Sequence, residues 1–288
     1  TFYSHPSPNP SVKTLWQVDG GWHTTGVIPL TKAAVQMIKA GIPPLWAPYS
    51  GGGGEPLLVS NPVNIYYPLR LAFFSLWDST HAFDWYFILR FFIAGLGMFF
   101  YLRTIGLRRI VALWGGIAYT FTGYFILYLT YPFLDIDALL PWTLWVIERY
   151  CRKKNLGAAA LIGFFLAMTI IIGQPQSTII AFMLAALYFA WRIIAQDKIG
   201  RQLLRPLYHV LFALFVAFLV ASPFIADFLT SYFEGATLPD WLTKGWAHFP
   251  PAQLLHFIVT PTMMPEIAAA GHLFDRFYLI IPYIGFSV

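Results

Sequence analysis

Long apolar segments follow one another from Phe83 to about residue 225, and they constrain the fold more than any other feature. A helix needs about 20 mainly apolar residues to cross about 30 Å of hydrocarbon. We predict membrane spans at 84–102, 110–130, 138–150, 156–173, 177–195 and 207–225. The third segment is short, so we expect it to be tilted, to begin earlier or to thin the bilayer locally.

The composition agrees with a membrane protein. Of the 288 residues, 58% are hydrophobic and 11% are charged, and the mean hydropathy is +0.63. Such a chain has too few charges to cover a soluble globule, and its 19% of aromatic residues is typical of helices that cross membrane interfaces. No basic surface interleaved with aromatics indicates a nucleic-acid partner. We predict an all-α polytopic membrane protein with about six to seven transmembrane helices, surrounded by membrane lipids.

Basic residues indicate which side of the membrane each turn faces. They follow the first, third and fifth predicted spans: Arg103, Arg108, Arg109, Arg149, Arg152, Lys153, Lys154, Arg192, Lys198, Arg201 and Arg205. By the positive-inside rule these turns should be cytoplasmic. The alternating turns hold Asp135, Asp137, Gln174 and Gln176, and should be external together with residues 1–83.

The predicted spans divide the chain into regions. Residues 1–83 have no apolar run of spanning length, and we predict an external loop domain with short amphipathic helices near 31–40 and 69–77. Residues 226–277 form a second external loop region, and 278–288 begin a further transmembrane helix. The chain starts at Thr1 and stops inside that segment, so we expect part of a longer protein that lacks an N-terminal anchor helix.

The polar stretch around Asp19 is the first candidate for chemistry, and we interpret it as an active-site loop. Gly20 and Gly21 follow Asp19 directly and let the backbone approach a ligand closely. An ordinary Asp-Gly turn explains the same residues. The four glycines at 51–54 lack the following Lys-Ser/Thr of a phosphate-binding loop.

Asp135 and Asp137 open the third predicted span. Carboxylates that converge from separate loops can act as a general base or hold a divalent cation. The simpler alternative is that one caps the helix and the other is solvated. In an extended segment the two side chains would point the same way, whereas in a helix they would lie about 200° apart.

Arg90 lies inside the first predicted span, where a charge needs a cavity or a partner such as a lipid phosphate. Snorkelling towards the external interface is the alternative. Arg70 is a weaker candidate of the same kind. The amides of Gln174 and Gln176 could bind sugar hydroxyls, although a polar turn needs no such role. Cys151 stands alone, and the seven histidines show no paired spacing, so a zinc site is unsupported.

Several motifs occur in one order along residues 15–288. They are Asp19 with the downstream Pro29-Leu30, and then the runs AGIPPLWAPYSGGGGEPLLVSNPVNIYYPL, GGIAYTFTGYF, LDIDALLPWTLWVIERY and GQPQS. Their order resembles the YfhO-like family of bacterial membrane proteins, within the GT-C class of glycosyltransferases. The resemblance implies a GT-C-like fold in the bacterial cytoplasmic membrane, with a large external first loop and a polyprenyl-phosphate sugar donor.

The resemblance places the family's two acidic positions on Asp19 and on Asp135 or Asp137. Together with the chemistry of the other residues, this gives the roles that we expect. Asp19 would be the general base, and Asp135 or Asp137 would support it or bind a divalent cation with it. Arg90 and Arg70 would hold the donor phosphate. Further side chains are expected to contact substrate: His23, Glu55, Gln174 and Gln176. The alternative function is a non-catalytic membrane subunit that docks into a larger complex with other membrane subunits.

Overall fold

The computed structural model describes residues 23–47, 55–56, 64–77, 81–196 and 204–233. Within these residues the chain is helical, apart from one pair of two-residue strands. A π-helical turn at His23–Val27 precedes the α-helices. These are α1 Ile28–Lys39, α2 Pro68–Leu76, α3 Ala82–Thr104, α4 Arg109–Thr120, α5 Gly123–Leu127, α6 Leu134–Lys153, α7 Leu156–Ile171, α8 Pro175–Gln196 and α9 Leu204–Phe233.

Four helical stretches among the described residues are long and apolar enough to cross a membrane. They overlap the predicted spans at 84–102, 110–130, 177–195 and 207–225, and comprise Ala82–Thr104, Arg109–Leu127, Pro175–Ala195 and Pro206–Ala226. The helical membrane character expected from hydropathy is therefore supported. The apolar helix α7 has 16 residues, about 24 Å of rise, which is shorter than the usual span.

Helix α6 is the central helix of the bundle, although it is the most polar of the long ones. It extends over 20 residues, of which twelve are buried, and it begins four residues before the predicted span at 138–150. It packs against α3, α7 and α8. Its enclosure brings charged side chains into the interior, where each requires a partner.

Small residues let neighbouring helices approach closely at two places. A Cβ added at Gly116 of α4 would lie 2.7 Å from the carbonyl oxygen of Gly95 on α3. A Cβ added at Gly163 of α7 would lie 2.3 Å from the carbonyl oxygen of Ala213 on α9. Such contacts between backbones are typical of helix pairs in membranes.

The described part of residues 1–83 packs onto these helices. Helix α1 begins at Ile28, earlier than predicted, and ends where Gly41 adopts a φ of +74°. Its buried face holds Ala34 as expected, with Leu30 and Val35 in place of Met37 and Ile38. Helix α2 corresponds to the second predicted amphipathic segment and contacts α1.

A short antiparallel ladder interrupts the otherwise helical chain. Strand β1, Trp46–Ala47, pairs with β2, Glu55–Pro56, so that Ala47 lies opposite Glu55. The Tyr66 hydroxyl donates to the carbonyl of Pro44. The stretch between α1 and α2 is thus tied back on itself at two places.

Candidate functional site

The carboxylate of Asp135, in the first turn of α6, is buried and accepts three hydrogen bonds. Arg90 Nε donates to Oδ1 at 2.7 Å, and the Tyr86 hydroxyl donates to the same oxygen at 3.0 Å. Asn64 Nδ2 donates to Oδ2 at 3.2 Å. These donors come from α3 and from the turn before α2, so Asp135 joins three separate parts of the chain.

Two arginines surround this carboxylate. Arg70 Nη1 lies 3.9 Å from Asp135 Oδ2, and its Nη2 is 3.4 Å from the hydroxyl of Thr31 on α1. Arg90 Nη1 donates to the carbonyls of Leu129 and Tyr131 at 2.9 and 3.2 Å. Burial lowers the pKa of Arg70. We call Asn64, Arg70, Tyr86, Arg90 and Asp135 the Asp135 cluster.

The local sequence explains how the Asp135 cluster is built. Tyr86 and Arg90 are four residues apart, so they lie on one face of α3. The Arg70 guanidinium lies over the ring of Tyr86 at 5.1 Å and over that of Phe74 at 5.2 Å, so aromatic faces shield its charge. Asn64 has a φ of 53°, a left-handed conformation that asparagine tolerates and that turns the chain into α2.

The Asp135 cluster contains two guanidinium groups and one carboxylate. Arg70 and Arg90 are only 1% and 2% exposed. Among the described residues, Arg70 Nε and Arg90 Nη2 are buried without a hydrogen-bond partner. Both guanidinium groups lie against the Asp135 carboxylate through other nitrogens, so these two N–H groups are the donors of the cluster that the described residues leave without an acceptor.

Asp137 has different surroundings because it lies on another face of α6. The Tyr124 hydroxyl donates to its Oδ2 at 3.2 Å, and the Tyr119 hydroxyl donates to its backbone carbonyl at 2.8 Å. The residue is half-buried and lies just before the predicted span at 138–150. Burial raises the pKa of Asp137 to about 7, although the Tyr124 hydrogen bond and the charge of Arg90 act in the opposite direction.

Two of the simpler interpretations of these residues are wrong. Neither aspartate caps α6, because its N-cap is Phe133 and no side-chain capping bond is made there. Arg90 does not snorkel to an interface, because its guanidinium is buried against Asp135. The expected angular separation of the two carboxylates in a helix agrees with their different partners.

The structure places His23, Gln174 and Gln176, three of the other predicted site residues, outside the Asp135 cluster. His23 packs its ring edge-to-face on Phe83 of α3, with ring centroids 5.1 Å apart. Gln174 and Gln176 lie at the turn between α7 and α8, where Gln176 is exposed. Asp19 and the side chain of Glu55 lie outside the described residues.

The Asp135 carboxylate does not fit a divalent cation. Its oxygens are occupied by donors from Arg90, Tyr86 and Asn64, and two guanidinium groups repel a second positive charge. The described part of the chain contains no group of three His, Cys, Asp or Glu side chains arranged to hold a metal ion.

A second buried carboxylate was not predicted from the sequence. Glu148 is fully buried in α6. Arg192 Nη2 donates to its Oε2 at 2.8 Å, and the Tyr188 hydroxyl donates to Oε1. Tyr188 and Arg192 are four residues apart, as are Tyr86 and Arg90. This shared tyrosine–arginine spacing is the signal that could have identified both sites.

The chain was compared with known proteins at three levels. No family model matches it, and no curated protein or solved structure is detectably similar to it.

Proposed function

We propose that the chain belongs to a membrane glycosyltransferase that moves a sugar from a polyprenyl-phosphate donor to an extracytoplasmic acceptor. The motif order that resembles GT-C enzymes supports the reaction type, and the four apolar helices support the membrane setting. In the reaction, the acceptor hydroxyl attacks the anomeric carbon as a base removes its proton. The bond from that carbon to the phosphate oxygen breaks, and polyprenyl phosphate leaves.

The observation that carries the proposal is the contrast between the two aspartates. Asp135 already accepts donors from Arg90, Tyr86 and Asn64, whereas Asp137 is half-buried and has a pKa raised to about 7. A general base works best when its pKa is near the working pH. Asp137 is therefore the described carboxylate best suited to accept the proton. Asp19 remains the expected base from the resemblance.

Arg70 and Arg90 suit the departing phosphate. Each keeps one buried N–H without a hydrogen-bond partner among the described residues. Arginine donors bind phosphate strongly through charge-assisted hydrogen bonds. Arg90 also influences the pKa of Asp137, so the phosphate donors and the candidate base are electrostatically linked. The leaving group would thus be stabilised beside the base.

The test is transfer of labelled sugar from undecaprenyl-phosphate-linked hexoses by the purified full-length protein. We expect Asp137→Asn to lower turnover by about 10²–10⁴-fold, the usual contribution of a general base. The matched control is Asp84→Asn, because Asp84 is an exposed aspartate on α3 that pairs with His81. If Asp137→Asn and Asp19→Asn both turned over the donor at the wild-type rate, neither aspartate would be the general base.

A second candidate is a non-catalytic membrane subunit, and one observation favours it. The Asp135 cluster is internal and binds protein groups on several sides, as a structural core does. This alternative predicts that no hexose donor is turned over and that chemical crosslinking captures other membrane chains. Donor turnover that depends on Asp137 would exclude it.

A further inference from the structure

A cavity of about 280 Å³ lies between α6, α7, α8 and α9. Its lining is almost entirely apolar and includes Ile147, Ile162, Phe182 and Ala213. Apolar cavities of about half this size stay dry and bind apolar ligands, because an empty void forfeits contacts for the atoms around it. The cavity is therefore suited to a hydrocarbon group.

The cavity opens towards the surface that a bilayer would cover. Ala186 of α8 and Leu214 of α9 line it and are themselves exposed. Beside them on the same helices, Met183, Leu187 and Leu211 are 57–66% exposed. Both helices are long and apolar enough to cross a membrane, so the hydrocarbon of a bilayer would contact the opening of the cavity between Ala186 and Leu214.

One end of the cavity is polar. The Tyr150 hydroxyl and His209 Nδ1 are hydrogen-bonded at 2.9 Å and both residues line it. Lys153 follows Tyr150 within one turn of α6 and is exposed, next to Arg152, which donates to the carbonyl of Thr104. An exposed cation within one turn of a cavity-lining residue complements the phosphate of a lipid headgroup.

We propose that this cavity binds an acyl chain of a membrane phospholipid, with the lipid phosphate towards the basic end of α6. The chain enters sideways between α8 and α9 and fills the space lined by Phe182 and Ala213. The binding site is separate from the Asp135 cluster and does not rest on the proposed sugar transfer.

The test is photolabelling of the full-length protein in vesicles of phosphatidylethanolamine and phosphatidylglycerol. The probe is phosphatidylglycerol with a diazirine in one acyl chain. We expect the label to be enriched on peptides containing 182–189 and 209–214. Ala186→Phe should lower it about tenfold, as expected when roughly two methylene groups lose their burial. Ala190→Phe, one turn further along an exposed face of α8, is the control and should leave it unchanged.

Two results would overturn the proposal. One is equal labelling of wild type, Ala186→Phe and Ala190→Phe, because the label would then report only general contact with lipid. The other is displacement of the label by an equal amount of unlabelled polyprenyl phosphate, because the occupant would then be an isoprenoid chain. Thermal unfolding of both variants in detergent checks that they are folded.

Discussion

Asp135 and Asp137 are two residues apart, yet the protein surrounds them differently. Asp135 is 2% exposed and holds Arg90 and Arg70 beside α6. Asp137 faces tyrosines and keeps part of its surface accessible. The first aspartate pairs with guanidinium groups, whereas the second accepts a hydrogen bond from a tyrosine and has its pKa raised by burial to about 7.

The first prediction at this scale concerns Asp135→Asn. The substitution keeps the shape but leaves two buried guanidinium groups without a carboxylate, so we expect a loss of about 3–5 kcal/mol in the free energy of unfolding. Denaturant titration in detergent measures it. Asp84→Asn, at a side chain 70% exposed, should change stability by no more than about 0.5 kcal/mol. Equal effects of the two variants would contradict the structural role of Asp135.

The second prediction concerns the pH dependence of stability. The folded state raises the pKa of Asp137 from an ordinary value near 4 to about 7. Between about pH 4 and pH 7 the folded protein therefore keeps a proton on Asp137 that the unfolded chain has released. The free energy of unfolding falls as the pH rises through this range. Tyr124 and Tyr119 donate hydrogen bonds to Asp137, and the charges of Arg90 and Asp135 also influence its pKa. All four residues are unchanged in the Asp137→Asn variant.

Unfolding of wild type and Asp137→Asn at pH 4.5 and pH 8 measures this contribution. We expect wild type to lose stability relative to the variant as the pH rises, because the asparagine cannot titrate. Parallel pH curves would show that the Asp137 carboxyl is not perturbed by folding.

At the scale of elements, each end of α6 carries a buried carboxylate that binds a tyrosine and an arginine of a neighbouring helix. Asp135 near its start binds Tyr86 and Arg90 of α3, and Glu148 near its end binds Tyr188 and Arg192 of α8. The two carboxylates are about 20 Å apart along the helix. Their pairing explains how the most polar long helix occupies the centre of the bundle.

A third prediction tests the close contact of α7 with α9. In Gly163→Ala the added methyl group would lie 2.3 Å from the carbonyl oxygen of Ala213, so the helices must separate. We expect a loss of about 1–3 kcal/mol, measured by unfolding in detergent. Gly157→Ala is the control in the same helix, because the added methyl group would lie 4.0 Å from its nearest neighbour, Asn155 Oδ1. Helix propensity should raise the free energy of unfolding of this variant by up to about 1 kcal/mol. Stabilisation by both changes would contradict the close approach.

At the scale of the whole molecule, the helical bundle has two chemically different ends. The Asp135 cluster lies at the start of α6, and exposed basic residues lie where α3 ends, α4 begins and α6 ends. Arg152 donates to the carbonyl of Thr104, which brings two of these turns together. By the positive-inside rule, we propose that a bilayer separates these ends with the basic end on the cytoplasmic side.

The fourth prediction tests this orientation by cysteine labelling. Cys151 is buried, so an introduced exposed cysteine can be labelled selectively. We expect Gln176→Cys to react with a membrane-impermeant maleimide in intact cells, and Lys153→Cys to react only after permeabilisation. Both positions are exposed, at opposite ends of α7. Reaction of both in intact cells would contradict the orientation.

The sequence by itself determined the helical and membrane character of the described chain. Hydropathy is a local property, so the apolar segments and the turns between them could be located without knowing what they contact. The charged residues that needed explanation, Arg90, Asp135 and Asp137, could also be identified because a charge in an apolar setting is conspicuous.

Only the tertiary structure decided which of these residues are partners. Arg90 and Asp135 are 45 positions apart, and their contact depends on how α3 packs against α6. Tertiary packing also gave Asp135 and Asp137 different partners, and the packing of α6 against α8 buried Glu148. Pairing of distant residues depends on the relative position of whole helices, and no local pattern in the sequence specifies that position.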